Sequence, residues 1–181
     1  HTYKRMGAVQ LFAALDVATG RVFGQLHKSK PFAVFSRFLN DLLLELVASG
    51  KRTIHLILDN GSTHRPKYLE IWLKAWLQEN QLSDVEIFVH WLPVRSSWLN
   101  QVEIFFSMLQ TQALTPNNFP SLADLSAPIL DYIALRNWKP QPINWSYTSD
   151  DLRKQFDKTP PAPTAADSAP PALASACSVD N

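Results

Sequence analysis

The chain has 181 residues, room for one ordinary domain, and 46% of them are hydrophobic, enough for a core. Its single cysteine, Cys177, excludes a disulfide framework or a cysteine-based metal site within one chain and fits a reducing cytoplasm; no stretch approaches the roughly 20 apolar residues of a membrane span. The formal net charge is +1, but residues 1–158 hold all 17 basic and only 14 of the 16 acidic side chains, a balance compatible with a nucleic-acid partner without demanding one.

No signal peptide is recognisable, and a start at His1 that heads directly into a strand-like run reads as a truncation. Ala8 to Val17 (AVQLFAALDV) is apolar and strand-like. Thr19-Gly20 signals a turn, and Arg21 to Leu26 (RVFGQL) makes a second strand, so the two predict a hairpin. Phe32, Phe35, Leu39, Leu42, Leu43 and Leu46 then recur at helical spacing, with Pro31 suited to the first turn and Gly50 just past the end. Thr53 to Leu58 (TIHLIL) is a continuous β-rich run, the pattern of a central strand covered on both faces, and it ends on Asp59-Asn60-Gly61.

A helix over about Pro66 to Glu79 carries Leu69, Trp72, Leu73, Trp76 and Leu77 on one face. Val85 to Leu92 (VEIFVHWL) alternates like another strand. Trp98 to about Thr111 is helical again, with Ser97 as its expected cap and Trp98 assigned to the core. Asn117 to Pro120 forms a loop, and Ser121 caps a last long helix running to about Arg136. The order β-β-α-β-α-β-α-α predicts an α/β fold with one mixed sheet, an antiparallel hairpin beside strands joined by helical crossovers. Residues 159–181 hold five of the 13 prolines and no Lys or Arg. Such a segment cannot bury enough apolar surface to offset its ordering entropy, so the expected organisation is a folded domain over 1–158 and a disordered Pro/Ala-rich tail over 159–181.

Two carboxylates stand out. Asp59 ends a buried strand, and open α/β sheets bind ligands in the crevice at the carboxyl ends of their strands. Asp-Asn-Gly is equally a common turn sequence, so both readings stand. Glu103 falls early in a helix, one position around from Val102 on the stripe Leu99, Val102, Phe106 and Leu109; a helical glutamate is ordinarily just solvated. The pair is more informative than either member. With one helix and one strand between them, both can reach a single crevice, and paired oxygen ligands are what Mg2+ prefers. Two such ions, roughly 3.5–4 Å apart, clamp the attacking and leaving oxygens in phosphoryl transfer. Asp16 is acidic and near a strand end, but an Asp before Ala-Thr-Gly suits turn capping better. His64 suits either a phosphate contact or a role in holding the Asp59 loop. Lys4, Arg5, Lys28, Lys30, Arg65, Lys67 and Arg95 are candidates for phosphate contacts, against the alternative of a solvated surface.

Leu56 to His64 (LILDNGSTH), a following strand, and a proline loop leading into Ser96 to Phe106 (SSWLNQVEIFF) together resemble the IS630/Tc1/mariner group of DDE transposases. Leu11 to Gly24 (LFAALDVATGRVFG) is similar to the hairpin of IS630-type members. Tyr132-Ile133 with Arg136-Asn137, followed by Pro140, Pro142 and Trp145, is similar to their C-terminal helix and exit. The resemblance covers about residues 3–156. It implies an RNase H-like mixed sheet with flanking helices, and DNA strand cleavage and transfer dependent on two Mg2+ or Mn2+ ions. Asp59 and Glu103 match the family's second and third acidic ligands. Its first ligand belongs to a strand upstream of the hairpin; nothing here matches it, and that strand is expected to precede residue 1. The resemblance further implies DNA partners (transposon ends and target), contacts from His64, Arg65, Lys67 and Arg95, a bacterial cytoplasmic, nucleoid-associated setting, and a possible homo-oligomer to hold both ends. Two other readings accompany it. A catalytically dead transposase remnant that at most binds DNA follows if one of three carboxylates is lost. A ribonuclease H-like nuclease acting on another nucleic acid is permitted by the fold, and only the SSWLNQVE resemblance speaks against it.

Overall fold

A computed structural model describes residues 7–116, 118–146, 148, 150–151 and 153–154. Lys4, Arg5 and the tail at 159–181 lie outside the described residues, so the expectations placed on them are not tested. The chain divides into two compact units, 1–144 and 145–181.

The first unit contains β1 (Gln10–Leu15), β2 (Val22–His27), α1 (Phe32–Ala48), β3 (Thr53–Leu58), α2 (Pro66–Glu79), β4 (Glu86–Trp91), a 3-10 turn (Ser97–Leu99), α3 (Val102–Ala113) and α4 (Leu122–Trp138). This is the mixed α/β order expected from the sequence. β1 and β2 pair antiparallel, with Gln10 opposite His27 and Leu15 opposite Val22. β3 and β4 pair in parallel, with Thr53 opposite Glu86 and Leu58 opposite Trp91. The expected single mixed sheet is not seen among the described residues: the hairpin and the parallel pair are separate two-stranded sheets.

The hairpin turn follows from its sequence. Asp16 accepts from the Ala18 N–H at 3.0 Å through Oδ1 and from the Thr19 hydroxyl at 2.8 Å through Oδ2. Gly20, at φ 78°, donates to the Asp16 carbonyl at 2.7 Å. Both carboxylate oxygens of Asp16 are thus occupied in a turn cap, as Asx chemistry predicts. A Cβ on Gly20 would also lie 1.9 Å from the Gln141 carbonyl oxygen, so only glycine fits.

Alternation splits the hairpin between two cores. Phe12, Ala14 and Phe23 pack with Phe35, Phe38, Leu39 and Leu43 of α1, a cluster that continues through Ile54 of β3 to Leu69, Leu73 and Trp76 of α2. The opposite face, with Leu11, Leu15, Val22 and Leu26, packs on Phe105 and Leu109 of α3 and Ile129 and Ile133 of α4. The doubly covered sheet is therefore the hairpin. β3, expected to be covered on both faces, buries Ile54 while His55 and Ile57 face outward, with Ile57 46% exposed. Its apolar run matches a buried strand in composition, but helices pack on one of its faces only.

The third helix also begins later than predicted. Ser97 is the first residue of a 3-10 turn rather than the cap of α3, whose N-cap is Gln101. Trp98, expected in the core, sits on that turn, off the α3 stripe, and is 39% exposed. Ser121 does cap α4, accepting from the Asp124 N–H at 3.2 Å. In the second unit, Thr148 donates to Asp151 through its hydroxyl (2.6 Å) and its N–H (3.0 Å), and both bonds hold the Asp151 carboxyl below its ordinary value.

Candidate active site

Asp59 follows the last residue of β3, so the parallel pairing that ends at Leu58 and Trp91 sets where its side chain emerges. The Leu92 N–H donates to the Leu58 carbonyl at 2.9 Å, and the Asn60 amide donates to the Leu92 carbonyl at 2.5 Å. These bonds stitch the loop after β3 to the loop after β4. A cavity of about 220 Å³ lies between them, lined by Asp59, Asn60, Gly61, Pro93, Val94, Arg95 and Ser97.

Within this cleft one oxygen of Asp59 is fixed. Oδ1 accepts from the Gly61 N–H at 3.0 Å and lies 2.8 Å from His64 Nδ1. The same Nδ1 lies 3.0 Å from the Asp59 carbonyl oxygen. A carbonyl has no proton to give, so Nδ1 carries the proton and donates to both oxygens. The imidazole is held from behind by Phe35, 4.8 Å between ring centroids, which ties the loop to the main core. A Cβ on Gly61 would stand 3.0 Å from Asp59 Oδ1 and 3.6 Å from His64 Nδ1, so this arrangement favours glycine there. Asp59 is both a turn former and a presented carboxylate: Oδ1 closes an Asx-type turn, while no hydrogen bond engages Oδ2 among the described residues.

Two arginines flank the loop in left-handed backbone conformations, Arg65 at φ 40° and Arg95 at φ 64°. Arg95 is the third residue of a turn closed by the Ser96 N–H on the Pro93 carbonyl at 3.1 Å. Glycine is the ordinary occupant of such a position, so a non-glycine residue there is strained. Arg65 precedes α2, and its guanidinium lies 5.5 Å from the centre of the Tyr68 ring. Lys67, Lys28 and Lys30 are exposed.

Glu103 lies in the first turn of α3, exposed, with its N–H donating to the Asn100 carbonyl at 2.9 Å. It does not line the Asp59 cleft. Among the described residues no group of three or more His, Cys, Asp or Glu side chains is placed to hold a metal ion. The free Asp59 oxygen and the Glu103 carboxylate suit a hard divalent cation in kind, since such ions prefer oxygen, but they fall short of a complete ligand set in number. The sequence missed the Arg95 conformation, for which Pro93-Val94-Arg95-Ser96 carries no glycine signal, and it left the role of His64 open.

A family model described as DDE superfamily endonuclease matches residues 1–126, and the chain belongs to that family. No curated protein and no solved structure matches the chain. No helix among the described residues is long and apolar enough to cross a membrane.

Proposed function

We propose that this DDE superfamily endonuclease is a transposase catalytic domain of the IS630/Tc1/mariner type, cutting and joining DNA strands at transposon ends. The observation that carries this reading is Asp59, at the carboxyl end of β3, with one oxygen fixed by Gly61 and His64 and the other without a hydrogen bond among the described residues, in a cleft that Arg95 also lines. Asp59 and Glu103 are the residues that would hold Mg2+ or Mn2+, which supplies charge neutralisation at phosphorus and lowers the pKa of a bound water. His64 orients the Asp59 carboxylate through Nδ1–H. Arg95, and with it Arg65 and Lys67, neutralises backbone phosphates beside the cleft. The net positive balance of residues 1–158 favours the same partner.

The test is nicking of supercoiled plasmid by the full 181-residue chain with Mg2+ or Mn2+. The expected result is cation-dependent nicking that Asp59→Asn and Glu103→Gln each abolish. Nicking by Glu103→Ala at the wild-type rate overturns the assignment of that residue.

A second reading is supported by the missing third ligand among the described residues: a chain that binds DNA without cutting it. Its signature is DNA affinity that falls steeply with salt, together with no product in either cation.

A further inference from the structure

The outward face of the β3–β4 sheet carries Thr53, His55 and Ile57 from one strand and Glu86, Phe88 and His90 from the other, all exposed. Parallel strands are ordinarily covered on both faces, so this open face is unusual. Its centre is an imidazole pair. His55 stands opposite Phe88 in register, and His90 stands opposite Ile57, so the two histidines are diagonal neighbours across the strands. His55 Nδ1 lies 2.9 Å from His90 Nε2. Phe88 stacks on His55 at 5.1 Å and 17°, while the His90 ring lies 5.2 Å away at 30°. His55 thus contacts two rings of the neighbouring strand. None of these groups belongs to the Asp59 cleft.

We propose that His55 and His90 form a two-imidazole site for a first-row transition-metal ion of the Ni2+ or Cu2+ type. Bonds of about 2.0–2.1 Å from imidazole nitrogen to metal place two ligands at a right angle about 2.9 Å apart, whereas tetrahedral ligands stand about 3.4 Å apart. The observed 2.9 Å is an N–H···N hydrogen bond, so the two nitrogens already stand at the first spacing and a rotation of the rings is what turns both lone pairs toward one ion. In the ion's absence one ring donates its N–H to the other. Binding needs both lone pairs, so the donating ring moves its proton to its outer nitrogen, and a neutral pair releases none. With no third protein ligand placed beside the pair among the described residues, water completes the coordination, which the exposure of the face allows. The ion clips β3 to β4 near their centre, with His55 four residues before Asp59, and so stiffens the pair that carries the cleft loops. Hard Mg2+ prefers oxygen and is not a ligand for this site.

Titration of the full chain with NiCl2 by calorimetry tests this. One strong site per chain is expected, weakened at least tenfold by His55→Gln and by His90→Gln, unchanged by His1→Gln and His27→Gln, and not matched by MgCl2. Unchanged affinity in both the His55 and His90 variants, or loss only in Asp59→Asn, overturns it. A second measurement needs no variant: substoichiometric CuCl2 broadens the NMR signals of His55, Phe88 and His90 first. Broadening first at Asp59 and His64 overturns the proposal.

Discussion

His64 Nδ1–H serves two oxygens of one residue, and its removal separates positioning from folding. In His64→Phe the ring still packs against Phe35, but the bonds to Asp59 Oδ1 and the Asp59 carbonyl are lost. Residues that orient a metal-binding carboxylate typically contribute 10–100-fold to affinity or activity. The expected outcome is therefore nicking slowed roughly tenfold or more at a given Mg2+ concentration, partly restored by raising Mg2+, with little change in thermal midpoint. Arg95 runs the other way. Its φ of 64° costs of the order of 1 kcal/mol, a cost glycine does not bear. Arg95→Gly is expected to raise the urea midpoint while weakening DNA binding and making the salt slope shallower by about one unit. Lower stability with unchanged DNA affinity would show that Arg95 is an incidental turn residue.

Elements meet through a few polar clamps as well as apolar faces. Asn137, near the end of α4, accepts from the Val22 N–H at 2.9 Å and donates to the Val22 carbonyl at 2.8 Å, closing both backbone groups at the start of β2. Val22 is 3% exposed, so Asn137→Ala leaves a buried donor and acceptor with no partner, at a cost of about 1–3 kcal/mol. Chemical denaturation should register that loss, and a thermal midpoint should fall by about 5 °C for a chain of this size. The Arg136-Asn137 pair was visible in the sequence only as part of a resemblance; its mechanical role needed the fold, because the partner lies 115 positions away. Periodicity, a local property, made α1 and α2 legible nearly to the residue, and the Ser121 cap did the same for the start of α4. Periodicity misplaced α3, where the polar turn through Ser97 delays the helix and Phe105, which the stripe Leu99, Val102, Phe106 and Leu109 leaves out, is its deepest residue at 0% exposure. At the site, Asp59 was legible because a strand end followed by Asp-Asn-Gly is a local pattern. Where Glu103 stands relative to Asp59 depends on how α3 packs, which no spacing encodes.

At the scale of the first unit, the hairpin lies between two cores while the parallel pair has helices on one face. The sequence expectation placed double coverage on TIHLIL, a run rich in Ile and Leu, but composition cannot tell a strand covered on both faces from one whose outer face holds a histidine and an isoleucine. Coverage rather than composition sets how readily backbone amides reach solvent, because opening a strand packed on both faces breaks contacts in two clusters at once. Amides of β1 and β2 are therefore expected to exchange slowest with deuterium, slower than those of β3 despite its Leu-Ile-Leu run. The difference should be visible by mass spectrometry of peptides spanning 10–27 and 53–58. Loosening one core separates the two cases further. Phe105→Ala, costing about 3–5 kcal/mol, strips the α3–α4 side of the hairpin and should speed exchange in β1 and β2 far more than in β3. If β3 proves the slowest segment in the wild type, its outer face is covered in solution, and the open sheet face described above is not the state the protein occupies.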